Sequence, residues 1–403
     1  MPLYDCVIIG AGILGLATAR QLLLETPGLN LLVIDKESQV AKHQSGHNSG
    51  VIHSGVYYKP GSLKAQLCVR GKHLLHAYCA ERSIKTPRLG KVIVATSQDE
   101  LPRLEALYER GQANGVEGIQ YLSRTELLKR EPYCTGGIAA VLCPEVAVVD
   151  FAEVCRSLAQ DIRSLGGQLM TGFEVSKINA EASSVTLLSR EGQRVQAKKL
   201  ISCAGLFSDR IAAASGGQKT PKIVPFRGDY LLLKPSAAYL VKGLIYPVPD
   251  PQFPFLGVHF TPRLDGSVWL GPNAVLAFKR EGYRFADLSL KDLADVFSYQ
   301  GFWRLAQKHW RVGLSELYQD LSKHAYVKAL QRTMPALKAS HCLPGPSGVR
   351  AQALAEDGSL VEDFVWDCPQ ENIIHLRNAP SPAATSCLAI AEKIAQKSNC
   401  VLV

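Results

Sequence analysis

Apolar residues run almost unbroken through two short stretches near the start of the chain, 5–10 (DCVIIG) and 30–35 (NLLVID). Runs of this length bounded by polar residues predict strands buried on both faces, as in a parallel sheet covered on each side. The Leu- and Ala-rich stretch 13–25 between them predicts a helix, giving strand, glycine turn, helix, strand: a βαβ unit. Residues 43–62 are loop-like, dense in Gly, Ser, His and Asn, and a helical pattern follows over about 63–82. A strand (KVIVAT), an amphipathic helix at 101–114 and turn-rich sequence fill 90–144, and 151–167 reads as a helix stopped by two glycines. Strand patterns recur at 168–178, 184–189 and 198–203; short strands cut by Pro and Gly fill 222–275; 288–338 is helical and basic; the tail 348–403 returns to strand, loop and helix.

This order predicts an α/β chain with a Rossmann-like nucleotide domain, three-layered on a mostly parallel sheet, built from 1–84, 145–216 and 341–403. A second, substrate-binding domain is inserted as 85–144 and 217–340. The first apolar run is punctuated by glycines and has no basic n-region, which excludes a secretory signal. No stretch of roughly 20 uninterrupted apolar residues suggests a spanning helix. A cytoplasmic chain is expected.

Composition changes this picture little: 403 residues, 47% hydrophobic and 20% charged, are ordinary for a chain with a large core. The eleven cysteines are scattered without a C-x-x-C pair, which argues for reduced thiols rather than a disulfide framework or a metal site. The net charge of +9 is uneven: Lys279–Lys338 holds eleven Lys/Arg against six Asp/Glu, 11 − 6 = +5. No basic run is interleaved with aromatics, so nucleic acid is set aside in favour of an anionic substrate or an anionic membrane face.

The chemistry begins at Gly10, Gly12 and Gly15 (GAGILG), directly after a strand and opening a helix. The first glycine permits the turn, the second lets a pyrophosphate approach the backbone, near Ile13, and the third lets helix and strand pack. Asp35 follows Gly15 by 20 residues at the end of the next strand, beside Lys36, where a carboxylate reaches ribose hydroxyls. This fingerprint does not separate FAD from NAD. The stretch Ser45, Gly46, His47, Asn48, Ser49, Gly50 and Val51 can wrap a pyrophosphate and a flavin ring with backbone N–H groups. KLISCAG, through Ala204 and Gly205, closes the nucleotide site a second time, with Val175 nearby. Pro380, Ser381, Pro382, Ala383, Ala384 and Thr385 precede an apolar helix whose N-terminus faces the flavin pyrimidine edge.

GAGILGL, HQSGHNSGVIHSGVYYKPGSLKA, PFRGDY, IYPVPDPQFPFLGVHF, VGLSELY, GVRAQ and NAPSPAATS together resemble the L-2-hydroxyglutarate dehydrogenase/oxidase family, within the D-amino-acid-oxidase-like FAD superfamily. The resemblance runs from residue 4 to about 395. One departure is Asp35, where such proteins often carry Glu. The resemblance implies FAD as cofactor and an α+β substrate domain whose mixed or antiparallel sheet roofs the flavin. It also implies oxidation of L-2-hydroxyglutarate to 2-oxoglutarate by hydride transfer from C2 to flavin N5, with electrons passing to a membrane quinone or to O2. An amine or amino-acid oxidase of the same superfamily, and a non-catalytic FAD scaffold, are the competing readings.

Oxidising an alcohol requires a base for the hydroxyl proton, and histidine suits neutral pH. His53, in the wrapping loop, is the first candidate and His259, in the β-rich section, the second; His309, His324 and His341 are expected on surfaces or in ordinary contacts. A dicarboxylate calls for cations that fork onto oxygens. Arg350 in GVRAQ is the leading candidate, followed by Arg227 in PFRGDY, with Tyr57, Lys59 and Lys64 for the far carboxylate and Asn273 for a hydrogen bond. Finally, 290–338 combines Phe297, Phe302, Trp303, Leu305, Trp310 and Leu314 with many basic residues. Two readings remain open: a helix packed on the substrate domain, or a surface helix lying peripherally on an anionic bilayer near a quinone.

Overall fold

The structure, a computed structural model, describes residues 3–250 and 255–399, so part of the PVPDPQFPF stretch and Cys400 lie outside it. Two large sheets carry the α/β architecture. The first has eight strands. Its spine, in spatial order, is Val365–Gln370, Ile373–Asn378, Arg194–Ser202, Leu3–Ile9, Leu31–Ile34 and Gln168–Met170; the ribbon Val175–Ala180 and Val185–Ser189 hangs from Arg194–Ser202. From Ile373–Asn378 to Gln168–Met170 all neighbours are parallel.

The unbroken apolar runs are explained by what covers them. Ile8 and Val33 face the helices Ile13–Glu25, Phe151–Ser164 and Cys387–Asn399, packing among Leu16, Leu158 and Ile390. Val7 and Leu32, one step along each strand, face the other way into Ile178 and Leu187 of the ribbon. Alternation along a strand fills both faces, so the sequence shows no polar side at all. Each such side chain contributes about 1.5–3 kcal/mol through burial.

The second sheet has nine strands, in the order Val275–Leu276, Lys222–Leu233, Val268–Leu270, Phe260–Pro262, Leu244–Pro247, Lys91–Ala95, Ala139–Cys143 and Gln120–Ser123, with Cys342–Leu354 also paired along Lys222–Leu233. Leu244–Pro247 runs parallel to Lys91–Ala95 and the remaining pairs are antiparallel, so this sheet is mixed, as the resemblance implied.

Strand pairing divides the C-terminal stretch that was expected to belong wholly to the nucleotide domain. Cys342–Leu354 hydrogen-bonds into the second sheet, with Arg350 opposite Phe226, whereas Val365–Gln370 and Ile373–Asn378 lie in the first. We propose on that pairing a nucleotide domain of 3–84, 145–216 and 365–399 and a second domain of 85–144 and 217–354.

The basic segment forms three helices, Leu290–Phe297, Gln300–Leu321 with a kink at His309, and Lys323–Gln331. Trp303, Trp310, Leu314, Leu317, Tyr318 and Leu321 are all exposed on the middle helix, where their spacing forms one stripe. Leu305 is buried against Val296 and Tyr299, so the opposite side of this helix packs on the protein.

Candidate active site

The carboxyl ends of Leu3–Ile9, Leu31–Ile34 and Arg194–Ser202 open on a cavity of about 1230 Å³. Ligands of open α/β sheets bind in this crevice. Gly10 turns there with φ +106°, and a Cβ on it would stand 2.5 Å from the Cys203 carbonyl oxygen. A Cβ on Gly15 would overlap the Gly10 carbonyl, so Gly15 packs helix to strand and does not line the cavity.

The helix Ile13–Glu25 begins at Gly12 with no side chain of its own capping it. Ser45 supplies the missing acceptor, its Oγ taking the Ile13 N–H at 2.9 Å. Asp35 accepts from the N–H groups of Ala11 at 2.6 Å and Glu37 at 2.8 Å. Burial raises its carboxyl pKa, and those two donors oppose the rise. Lys36 is ion-paired to Glu37 and Glu281, so the second domain reaches this end of the cavity.

Asn48 braces the wrapping loop, donating to the carbonyls of Gln44 and Ser45 and accepting from Gly50 N–H. His47, Asn48, Ser49 and Val51 line the cavity, together with Val175, Ala204, Gly205 and Pro380 through Thr385. Gly46 and Gly50, expected to touch the cofactor, do not line it: a Cβ on Gly46 would meet Ala41 O, and one on Gly50 would meet Arg263 and Val149. They let the loop close on itself. Thr385 ties the two distant motifs together, its Oγ1 accepting from His53 N–H at 3.1 Å and donating to Val51 O at 3.3 Å.

At the other end, His53, Tyr57, His259 and Arg350 converge on the same cavity, with Lys59 and Lys64 at its rim. The His53 Nδ1 and the Tyr57 hydroxyl are buried and partnerless among the described residues. His259 Nδ1–H donates to Gly257 O at 2.9 Å, which leaves Nε2 with a free lone pair, and its ring stacks on Tyr246 at 3.8 Å. Burial pulls both imidazoles down to about 3, helped at His53 by Lys91 and His259 and at His259 by Arg350 and Lys91. Both are therefore neutral at pH 7 and able to accept a proton. Lys64 is also drawn down by burial, against Glu362 and Asp363.

Arg350 donates to the Asn273 carbonyl at 3.0 Å, and no carboxylate among the described residues forms an ion pair with it. Arg227 stands differently. It is 2% exposed, with Nε 3.0 Å from Asp229 and Nη2 2.8 Å from Asp320. Asn273 is likewise committed, its Oδ1 accepting from Asp229 N–H and its Nδ2 donating to Asp320, both at 2.7 Å. Neither side chain lines the cavity. The structure thus corrects both expected substrate contacts: they are framework, and through the Asn273 carbonyl they hold Arg350. Glu316, one helical turn before Asp320, accepts from Ala274 N–H at 2.8 Å and belongs to the same framework. Tyr230 and Tyr246 line the cavity and were not anticipated. His309, His324 and His341 do not line it.

Comparison with known proteins gives this geometry a family. The sequence profile described as "FAD dependent oxidoreductase" matches residues 5–397. The chain belongs to that family. It is 51% identical to human "L-2-hydroxyglutarate dehydrogenase, mitochondrial" over 98% of this chain and 88% of that one. It is 50% identical to the protein of the same name from Nematostella vectensis, over 98% and 90%, so the resemblance read from the motifs holds along the whole length. Among solved structures, L-alpha-glycerophosphate oxidase from Mycoplasma pneumoniae, with FAD bound, superposes at TM-score 0.81 and 23% identity, covering 99% of this chain and 95% of that one. Glycine oxidase from Geobacillus kaustophilus does so at 0.73 and 17%, covering 99% and 95%. These likenesses establish the fold.

FAD is the cofactor of this flavoenzyme, and the site fits it. A Cβ on Gly12 would meet only Ser45 Oγ, at 3.2 Å, which leaves room for a pyrophosphate at the helix start beside the Ile13 N–H that Ser45 holds. The cavity also exceeds the roughly 300–1,000 Å³ of ordinary small-molecule pockets, as a dinucleotide plus substrate requires. The named relatives are mitochondrial, whereas a cytoplasmic chain was expected here. Among the described residues no helix is long and apolar enough to cross a membrane.

Proposed function

We propose that the chain oxidises L-2-hydroxyglutarate to 2-oxoglutarate and delivers the electrons to a membrane quinone. One observation carries the reading: an arginine with no ion pair among the described residues and two uncharged histidines meet at the end of a dinucleotide cradle. Arg350 binds a substrate carboxylate through its fork, which donates to the Asn273 carbonyl and lies over the Phe255 ring without an ion pair among the described residues. Tyr57, Lys59 and Lys64 receive the far carboxylate. His53, with a free nitrogen, accepts the hydroxyl proton as the C2–H bond breaks, and His259 is the alternative base. FAD, when bound, supplies the hydride acceptor. The half-identity to enzymes named for this substrate supports the choice among 2-hydroxy acids.

The exposed stripe Trp303, Trp310, Leu314, Leu317, Tyr318 and Leu321, beside the exposed bases Arg304, Lys308 and Arg311, supports a peripheral seat on an anionic membrane face, where a quinone is reached. The test is anaerobic mixing of the holoenzyme with L- and D-2-hydroxyglutarate, malate, lactate and glycine. The flavin absorbance must bleach fastest with the L-2-hydroxy dicarboxylate; faster bleaching by glycine would move the chain to the amino-acid oxidases. Stoichiometric peroxide in air would replace quinone with O2, and salt-insensitive failure to pellet with anionic vesicles would remove the membrane seat.

A further inference from the structure

Lys91 opens the strand Lys91–Ala95, all five of whose residues are buried, and is itself 0% exposed. Its ammonium has no hydrogen-bond partner among the described residues, and no carboxylate there forms an ion pair with it. A lone cation in a sheet interior is among the costliest groups to bury, and burial pulls the Lys91 pKa down, so any contact that favours its charged form matters. The compensation is aromatic: the Nζ stands 4.4 Å from the centre of the Tyr57 ring and 5.1 Å from that of Tyr246. Both rings line the cavity, whereas Lys91 does not. Tyr246 continues the stack onto His259 at 3.8 Å with 23° between the planes. Lysine, two tyrosines and a histidine thus form one wall of the reaction chamber, with the charge at the back.

We propose that Lys91 is a positioning residue for substrate oxidation: it fixes the Tyr57 and Tyr246 rings, through Tyr246 it orients His259, and it places an ammonium behind the site. The proposal rests on the hydroxy-acid reading above. The charge acts on groups from several elements. Lys91 and His259 face His53, Arg350 and Lys91 face His259, and Cys68 and Cys143 are the titratable groups facing Lys91 itself. A cation at this place favours the negative charge that grows on the substrate oxygen as its proton leaves.

The experiment uses FAD-loaded Lys91→Met and Lys91→Arg enzymes. Flavin content, the oxidised flavin spectrum and the rate of anaerobic reduction by L-2-hydroxyglutarate are measured from pH 5.5 to 9. The methionine variant should keep its FAD and reduce about tenfold more slowly or worse. Arginine should recover most of the rate. A methionine variant with wild-type rate overturns the proposal; so does a loss that arginine does not relieve. If the methionine variant does not fold, Tyr246→Phe and Tyr246→Leu decide, since phenylalanine keeps the ring and must keep the rate while leucine must lose it. Failure of the wild type to bleach with any 2-hydroxy acid refutes the function instead, and is read before any variant is compared.

Discussion

Replacing Arg350 by methionine isolates the group most directly tied to an anionic substrate. The fork loses one hydrogen bond to the Asn273 carbonyl, and its removal breaks no ion pair among the described residues, although nearby Glu316 loses a positive neighbour. The cost therefore falls on substrate. Two hydrogen bonds to a charged group, at about 1.5–3 kcal/mol each, give about 3–6 kcal/mol. Relief from burying an arginine, whose pKa burial already lowers, reduces this toward the lower end, about 3–4 kcal/mol. At about 1.4 kcal/mol per factor of ten, kcat/KM should fall about 10²–10³-fold. Lysine at this place restores the charge without the fork and should recover only part of the loss. The assay is anaerobic stopped-flow reduction across a range of L-2-hydroxyglutarate, with FAD content and thermal midpoint measured on the same preparation. A methionine variant with full FAD and kcat/KM within threefold of wild type would refute the assignment and send the carboxylate to Lys59 or Lys64.

Other outcomes follow from the same geometry. His53→Ala should slow flavin reduction by about 10²–10⁴-fold, the usual share of a general base, and a loss of only a few-fold would pass the role to His259. Arg227→Met should lower stability by about 3 kcal/mol by leaving buried Asp320 and partly exposed Asp229 without their cation, as read by denaturant titration, while kcat/KM per folded molecule changes far less than in the Arg350 variant. Gly15→Ala should lose FAD and stability together, since its Cβ overlaps the Gly10 carbonyl; an alanine variant that purifies yellow refutes the packing role. Both cavity-lining imidazoles have folded pKa values of about 3, so the unfolded chain binds more protons below its own histidine pKa of about 6.5. Stability should fall as pH drops from 6.5 toward 3, and His259→Gln should flatten that fall in thermal melts.

The nucleotide half was readable because its rules are local. Gly10, Gly12, Gly15 and Asp35 sit within one βαβ unit, and double-faced burial leaves an apolar run that no surface strand carries. The far half depends on contacts the sequence does not announce. Arg227 and Asp229 alternate onto one face of their strand, a hint of pairing, but Asp320 arrives from a helix 93 residues away and completes the burial. Lys91 heads a run of four apolar residues, where a charged end usually marks the solvent edge, and the strands on both sides, Leu244–Pro247 and Ala139–Cys143, with the Tyr57 ring, enclose it. Cys342–Leu354 reads as a return toward the cofactor because it delivers Arg350 there, yet its hydrogen bonds belong to the roof. Arg350 and Arg227 look alike as isolated arginines in short motifs; what separates them is whether an acid was provided.

The helix Gln300–Leu321 carries aromatic residues outward, and Glu316 and Asp320 inward onto the Asn273–Ala274 turn that steadies Arg350. Whatever rests on its outer face thereby leans on the turn that holds Arg350. On the role proposed for Arg350, a label, a fusion or a bilayer attached there would alter the grip on the hydroxy acid before any change in colour, so surface engineering of this enzyme has to be judged by substrate affinity as well as by flavin retention.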